Sequence, residues 1–441
     1  MKSIWRDKSG NFAILSALLI IPLIGSAGVA LDITRGLSVK SDLQMAADSA
    51  ALAVVADSSA SAQAAKRMAS NGVIAVGEEE AAAFFHGNQR GNRDYQLLSL
   101  DISVIKRGTI IESSVNFTAS VNTTLSRILG KDFLTVSGSA TAKYETETFT
   151  DFYLVLDNSP SMGVGATPAD VAVMEKTIGC AFACHLTTKD GASDPTSTYF
   201  RIKNKDTDAK GRINATTRID VVAKATASLM DTAAATRKSN DQYRIAVYTF
   251  GKTAVDVASG GDLLEVVPRT SDLQEAKKKI AEIELMSVPS HMYKNDQHTD
   301  FDRALTKIEK KMGNSGSGAS SASPEKIVFF VSDGVADSYK PNNCTKQTTQ
   351  GGRCQEPIDT RLCTKLKEKG FRIAVLYTTY LPLSGNGWYR LWIQPFQTEI
   401  SSRMQACASP GLFFEVSPSQ GISDAMSALF KKAISTPRLT S

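Results

Sequence analysis

The first strong pattern along the chain is an apolar run at residues 12–31, which holds 20 residues and no charge. A helix of this length, at about 1.5 Å per residue, crosses the ~30 Å hydrocarbon core of a bilayer. Lys2, Arg6 and Lys8 precede the run, and this bias favours a cytoplasmic tail at residues 1–11. We therefore predict one transmembrane helix over residues 12–31.

A cleavable signal peptide is the alternative, because Gly28-Val29-Ala30 offers a small-x-small cleavage site. The apolar run, however, is longer than the ~7–15-residue core of a signal peptide. Apolar residues also continue at helical spacing into an Ala-rich stretch. These features favour a retained anchor, followed by an amphipathic helical extension at residues 32–69.

The pattern changes in the middle of the chain, where we place a small α+β unit at residues 70–150. Apolar and polar residues alternate over residues 98–105, 110–121 and 133–144, as they do in half-buried strands. Gly108 separates the first two runs and predicts a turn. Nothing in this unit indicates catalysis, so we interpret it as a spacer or packing domain.

Strands and helices alternate from residue 151 onward, which predicts a mostly parallel sheet with helices on both faces. This α/β domain covers residues 151–435, with a polar insertion at residues 167–212 and a short tail at residues 436–441. The predicted strands are residues 152–156, 243–250, 326–331, 371–377 and 412–416. The predicted helices are residues 218–236, 273–283, 301–311, 359–369, 395–407 and 422–434.

Composition supports a globular protein of 441 residues, since 42% are hydrophobic and 22% are charged. Collagen-like and wholly disordered classes are thereby excluded. The net charge of +5 is too small over this length to indicate nucleic-acid binding. We therefore predict no nucleic-acid partner.

Candidate chemistry lies in two loops that follow predicted strands. Asp157, Ser159 and Ser161 form a D-x-S-x-S turn after the first strand, and Asp333 follows the strand at residues 326–331. In an open parallel sheet, ligands bind at the carboxyl ends of strands. Carboxylate and hydroxyl oxygens suit Mg²⁺, Mn²⁺ or Ca²⁺ rather than zinc or copper. Thr299, just before a predicted helix, offers one more hydroxyl.

Two other interpretations of this motif stay open. The serines could simply cap a turn. A metal-dependent phosphatase is the enzymatic alternative, but the motif provides no paired base and nucleophile. His298 is the nearest histidine to Thr299, and Asp302 fits a first-turn helix acid better than a catalyst. We predict that the protein is not an enzyme.

The D-x-S-x-S turn, the threonine and the second aspartate together resemble the von Willebrand factor A domain. The resemblance covers about residues 151–434 and implies a Rossmann-like fold with a metal-ion-dependent adhesion site. The family's metal-binding positions match Asp157, Ser159, Ser161, Thr299 and Asp333. In such a site, an acidic side chain of a partner protein completes the coordination of the metal.

The N-terminal stretch DKSGNFAILSALLIIPLIGSAGVALDITRGLSVKSDLQMAADSAALAVV resembles the TadE/TadG-type N-terminus of bacterial tight-adherence (Flp) pilus assembly. An anchor, a small α+β unit and an A domain follow one another in TadG-like proteins. Pilins of that system are cut after a glycine, with Glu five residues on. Here Leu15 stands five residues after Gly10, which favours an uncleaved anchor.

These resemblances imply a single-pass bacterial inner-membrane protein with a cytoplasmic N-terminus and a periplasmic C-terminal domain. Its expected partners are pilus-assembly proteins, bound through an acidic side chain at the metal. The Gly- and Ala-rich span also permits self-association into a homo-oligomer. An exported adhesin or matrix-binding protein, unconnected to pili, is the alternative.

Six cysteines, all after residue 179, indicate disulfides in an exported chain. Sequence alone leaves 15 connectivities open. Proximity suggests Cys180–Cys184 and Cys344–Cys354, which leaves Cys363 and Cys407. The C-x3-C-H run from Cys180 is one residue longer than a c-type haem motif, and no histidine lies at zinc-finger spacing. Disulfides are therefore favoured over haem or zinc.

Overall fold

The computed structural model describes residues 11–89, 95–179, 198–208, 211–290, 292–416 and 421–435. They belong to two compact units, Met1–Glu147 and Thr148–Ser441. The first unit combines a long apolar helix with an antiparallel sheet, and the second is a mixed α/β domain. The predicted fold class is confirmed.

One continuous helix, α1 (Asn11–Val55), runs through both the predicted span and most of the predicted extension. It is long and apolar enough to cross a membrane. Large apolar side chains in its first half, such as Leu18 and Ile21, are exposed, as side chains that face lipid would be. The helix continues through Pro22 as far as Val55, so the anchor and the extension form one element.

The rest of the first unit is a four-stranded antiparallel sheet with two helices. The elements that follow α1 are α2 (Ala60–Arg67), β1 (Gly72–Val73), α3 (Ala75–Gly87), β2 (Tyr95–Arg107), β3 (Ile110–Asn122) and β4 (Phe133–Glu145). The sheet order is β1-β2-β3-β4. Gly108 adopts a φ of +62° in the turn between β2 and β3, a conformation that favours glycine. The three alternating runs are thus strands, as predicted.

The second half of α1 packs on this sheet. Leu43 and Ala50 of the helix are buried in one core with Val115 and Phe117 of the sheet. The helix comes close to β4, where a Cβ at Gly138 would meet the side chain of Gln44, and the Gln44 amide donates to the carbonyl of Ser139 at 2.8 Å. The sequence suggested separate segments at residues 32–69 and 70–150, whereas in the structure they share a core.

The second unit is built on a six-stranded sheet. Its strands are β5 (Thr150–Leu156), β8 (Tyr243–Thr249), β9 (Leu264–Thr270), β10 (Glu325–Ser332), β13 (Arg372–Thr378) and β14 (Phe413–Val416), with β6 (Thr207–Asp208), β7 (Gly211–Arg212), β11 (Val335–Tyr339) and β12 (Arg353–Pro357) in two small hairpins. The sheet order is β14-β13-β10-β5-β8-β9. All neighbours are parallel except β8 and β9. The sheet is therefore mostly parallel, as predicted, with one antiparallel edge strand.

Helices cover both faces of this sheet. They are α5 (Thr198–Lys203), α6 (Arg218–Thr236), α7 (Ala254–Ala258), α8 (Leu273–Ile280), α9 (Phe301–Met312), α10 (Thr360–Glu368), α11 (Gly387–Trp392), α12 (Gln397–Cys407) and α13 (Ile422–Ser435). Helix α4 (Pro168–Ile178) instead packs in a small separate core with Ile202 of α5. Alternate residues of β5 face opposite cores: Val155 packs with α9, α10 and α12, while Leu154 packs with α6, α8 and α13. Burial on both faces explains the continuous apolar sequence of β5.

The described residues of the second unit contain two disulfides. Cys344 pairs with Cys354 next to the β11–β12 hairpin, and Cys363 of α10 pairs with Cys407 of α12. The predicted Cys344–Cys354 pair is confirmed, and the two remaining cysteines form the second bond. Cys180 and Cys184 lie outside the described residues.

Candidate metal centre

The candidate site lies at the carboxyl ends of two adjacent central strands. Leu156, the last residue of β5, is in register with Val331 of β10. The backbone N–H of Asp157 donates to the carbonyl of Val331 at 2.9 Å. Asp157 and Asp333 therefore leave neighbouring strands at the same edge of the sheet, and both side chains are fully buried.

The D-x-S-x-S loop folds its polar groups toward one another. The backbone N–H of Ser159 donates to Asp157 Oδ1 at 2.9 Å. The hydroxyl oxygens of Ser159 and Ser161 lie 3.3 Å apart. Pro160 begins a short 3-10 helix that restrains the loop. The Ser161 side chain lowers the pKa of the Asp333 carboxyl, against the larger effect of burial. The structure thus brings together four of the five predicted residues.

Thr299 is tied to the same region through its backbone. Its N–H donates to the carbonyl of Asp337 at 2.9 Å, and the N–H of Asp337 donates back at 2.8 Å. Asp337 belongs to β11, which begins two residues after Asp333. The following residue, Asp300, caps α9 by accepting from the N–H of Arg303. Backbone pairing therefore fixes the place of Thr299 beside the loop of the second aspartate.

Two neighbouring residues, to which the sequence analysis gave no role, complete the loops. Ser332 donates its hydroxyl to Asp157 Oδ2 at 2.7 Å and accepts from the N–H of Gly334 at 3.0 Å. Gly334 has a φ of +80°, and a Cβ there would lie 2.5 Å from Ile400. The S-D-G tripeptide directly after a buried strand could have indicated both residues, because glycine permits the turn that presents Asp333.

Arg218 is the third residue that the sequence did not point to. Its Nη1 donates to Asp333 Oδ2 at 3.0 Å, and only 1% of the side chain is exposed. The guanidinium carbon lies 5.2 Å from the centre of the Tyr380 ring, within reach of a cation–π contact. Arg218 is the first residue of α6, a position at which an arginine usually faces solvent.

Burial and mutual repulsion control the charges of the two carboxyl groups. Burial raises the pKa of Asp157, and the negative charge of Asp333 raises it further. Burial likewise raises the pKa of Asp333, against the opposing effect of the Arg218 charge. Two buried carboxylates this close are costly unless a proton or a cation accompanies them. The site is therefore built to take up positive charge.

The donor set fits a hard divalent cation. Asp157 and Asp333 offer carboxylate oxygens, and Ser159 and Ser161 offer hydroxyl oxygens that lie 3.3 Å apart. Oxygen ligands of this kind suit Mg²⁺, Mn²⁺ and Ca²⁺. Ser161 is partly exposed, whereas Asp157, Ser159 and Asp333 are fully buried. Approach to the site would therefore be from the Ser161 side.

Comparison with solved structures finds A-domain and pilus proteins. The von Willebrand factor domain of the type V pilus tip protein Mfa5 from Porphyromonas gingivalis is 12% identical, with a TM-score of 0.37, over 67% of this chain and 99% of that one. The pilus adhesin SpaC from Lactobacillus rhamnosus GG is 12% identical, with a TM-score of 0.36, over 78% and 35%. Proximal thread matrix protein 1 from the mussel byssus, whose adhesion motif holds zinc, is 12% identical, with a TM-score of 0.31, over 65% and 48%.

At the sequence level, no curated protein matches the chain. Residues 10–64 match the family model described as putative Flp pilus-assembly TadE/G-like. The match covers the whole of helix α1, which is long and apolar enough for a membrane span, and continues into α2. Residues 10–64 are therefore similar to the TadE/G-like segment of Flp pilus assembly, which confirms the resemblance expected from this stretch of sequence.

Proposed function

We propose that this protein is an inner-membrane component of Flp (Tad) pilus assembly that binds partner proteins through the metal centre. The family match of residues 10–64 supports a pilus-associated role. Helix α1 supports a single-pass anchor. The basic residues Lys2, Arg6 and Lys8 ahead of it favour an N-terminus in the cytoplasm, with the α/β unit in the periplasm. Two disulfides in that unit agree with an oxidising compartment.

One observation supports the metal part of the proposal: four oxygen-bearing side chains converge at one edge of the sheet, those of Asp157, Ser159, Ser161 and Asp333. These residues, with Thr299, would hold Mg²⁺, Mn²⁺ or Ca²⁺. The bound cation supplies a Lewis-acidic position for one more oxygen. The serine hydroxyls add no negative charge, so the cation keeps its attraction for an anion. An Asp or Glu side chain of a pilus-assembly partner would supply that oxygen.

Binding suits this site better than catalysis. His298, the histidine next to Thr299, is fully buried, and its ring stacks on Tyr293 with centroids 6.0 Å apart. It therefore offers no exposed base to a substrate. Asp302 lies in the first turn of α9 and pairs with Lys340 at 2.5 Å, as a helix acid rather than a nucleophile.

Thermal unfolding of the full-length chain in detergent tests the metal site. We expect Mg²⁺, Mn²⁺ or Ca²⁺ to raise the Tm of the wild-type protein and to have no effect on Asp157→Ala. Asp272→Ala is the matched control, because Asp272 caps α8 in the same unit. It follows Thr270, which pairs with Ile245 near the start of β8, at the sheet edge opposite the site. An unchanged Tm with every divalent ion, zinc included, would contradict the metal site.

Affinity capture from membranes of the native host tests the partner. The full-length chain should retain proteins of the pilus machinery in Mg²⁺ and lose them in a chelator. Asp333→Ala should lose them under both conditions. Partners that resist the chelator would refute metal-dependent binding, and partners unrelated to pili would favour the adhesin alternative.

A further inference from the structure

Arg218 places a fixed positive charge inside the candidate metal centre. Its guanidinium donates to Asp333 at 3.0 Å from a side chain that is 1% exposed. Its other two nitrogens, Nε and Nη2, are buried and have no hydrogen-bond partner among the described residues. An arginine that served only to neutralise Asp333 would be expected to use these donors as well, since unpaired buried donors are costly.

The fold holds this arginine in place. Arg218 opens helix α6, and the helix start is fixed because Asp220 accepts from both the N–H and the hydroxyl of Thr217. The next residue, Ile219, is fully buried against the sheet. The ring of Tyr380 closes one face of the guanidinium. The positive charge therefore cannot leave the site by a small movement of the helix end.

Charge balance shows what this arrangement does to metal binding. Asp157 and Asp333, when ionised, carry two negative charges, and a divalent cation alone would neutralise them. With Arg218 present, the metal-loaded site has an excess of one positive charge. A buried excess charge is unfavourable, and one carboxylate from outside would cancel it.

We propose that Arg218 makes metal binding and carboxylate binding depend on each other. This inference rests on the metal site of the proposed function and adds to it the reason why the site selects an acidic partner. Without a carboxylate, the guanidinium competes with the metal for Asp333 and keeps metal affinity low. With a carboxylate, the metal and Arg218 are both neutralised, and the unpaired guanidinium donors gain an acceptor.

Calorimetric titration of the full-length chain with Mn²⁺, with and without excess acetate as the carboxylate probe, tests this coupling. Arg218→Gln should bind Mn²⁺ at least about ten-fold more tightly than wild type without acetate, because a repelling charge is removed from a buried site. Acetate should tighten Mn²⁺ binding to wild type several-fold and have little effect on Arg218→Gln. Arg218→Lys, which keeps the charge, should retain the acetate effect.

Arg244→Gln is the matched control, because Arg244 pairs with another buried aspartate, Asp151, at the opposite end of β5. Its Mn²⁺ affinity and acetate effect should equal those of wild type. Equal Mn²⁺ affinity in wild type and Arg218→Gln would overturn this inference and leave the metal site standing. Absence of Mn²⁺ binding in both would overturn the metal site and the inference together. If Arg218→Gln does not fold, the wild-type protein alone tests the coupling. Mn²⁺ binding to wild type that acetate does not change would refute it.

Discussion

Arg244 donates two hydrogen bonds to Asp151, from Nε to Oδ1 at 2.6 Å and from Nη2 to Oδ2 at 3.0 Å. The two residues stand side by side on the parallel strands β5 and β8. Asp151 is fully buried, and Arg269 from β9 adds a third donor to it at 3.1 Å. One carboxylate thus joins three neighbouring strands at the end of the sheet that lies away from the metal centre.

Asp151→Ala should destabilise the α/β unit by about 3–5 kcal/mol, because it leaves the half-buried Arg244 without its partner. Urea denaturation of the full-length chain, followed by intrinsic fluorescence, gives the change in free energy of unfolding. Arg269→Gln serves as the control and should cost less than about 1 kcal/mol, because Arg269 is 47% exposed. Equal losses of unfolding free energy in Asp151→Ala and Arg269→Gln would show that burial of the Asp151–Arg244 pair does not cause the destabilisation.

Removing the Cys363–Cys407 disulfide should destabilise the same unit more than removing Cys344–Cys354. The first bond closes a sequence separation of 44 residues and the second a separation of 10. Loop-closure entropy then predicts losses of about 4 and about 3 kcal/mol for the paired Cys→Ser variants. Thermal and urea unfolding of both double variants provides the comparison. The reverse order would mean that native-state packing, rather than chain entropy, dominates.

Asp32 should make the first unit sensitive to acid. Its carboxylate accepts backbone N–H groups of Thr124, Leu125 and Ser126 at 2.9, 3.0 and 2.7 Å. These hydrogen bonds lower the pKa of Asp32 to about 2. A lowered pKa in the folded state means that the stabilisation is complete above the ordinary value of 3.8 and is lost as the pH falls toward about 2.

We therefore expect Asp32→Asn to weaken the dependence of the melting temperature on pH between these values. At neutral pH the variant should also exchange its amide hydrogens at positions 124–126 faster, as hydrogen-exchange mass spectrometry would report. Asp101→Asn, on an exposed position of β2, is the control and should match wild type. Unchanged exchange at positions 124–126 would show that the carboxylate does not hold this turn.

Gly28→Val should destabilise the first unit more than Gly25→Val does. Both substitutions change the helix propensity equally, so the difference between them reports packing at position 28. A Cβ at position 28 would lie 2.5 Å from the Cβ of Leu125, while nothing lies within 4 Å of one at position 25. Overpacking of this kind costs about 1–3 kcal/mol. Thermal unfolding in detergent compares the variants, and equal melting temperatures would disprove the contact between Leu125 and the helix.

The sequence identified the central elements well because their apolar patterns are strong. The predicted helix at residues 218–236 has the bounds of α6, and the five predicted strands are all present. Strand β9 was missed because it is an antiparallel edge strand that contains Pro268 and is mostly unburied. The hairpin of β11 and β12 was missed because several of its buried residues are polar. A prediction from the pattern of polar and apolar residues assigns polar residues to the surface.

Asp337 of that hairpin shows how a polar strand becomes buried. Its carboxylate accepts from the guanidinium of Arg353 at 2.5 Å and from the amide of Gln355 at 2.8 Å. These partners lie 16 and 18 residues away, so no local pattern reveals them.

At the metal centre the same limit applies. Motif spacing predicted the two acids and the serines, but the contact between Arg218 and Asp333 spans 115 residues and depends on the finished sheet.

The unbroken helix α1 has a mechanical consequence. Its 45 residues form a rod about 68 Å long, and the sheet of the first unit is packed on the second half of that rod. An apolar span that is longer than the local lipid thickness can be accommodated by tilting. Because no hinge separates the span from the sheet, any such tilt would turn the whole first unit by the same angle. Bilayer thickness would thereby set the direction in which that unit points.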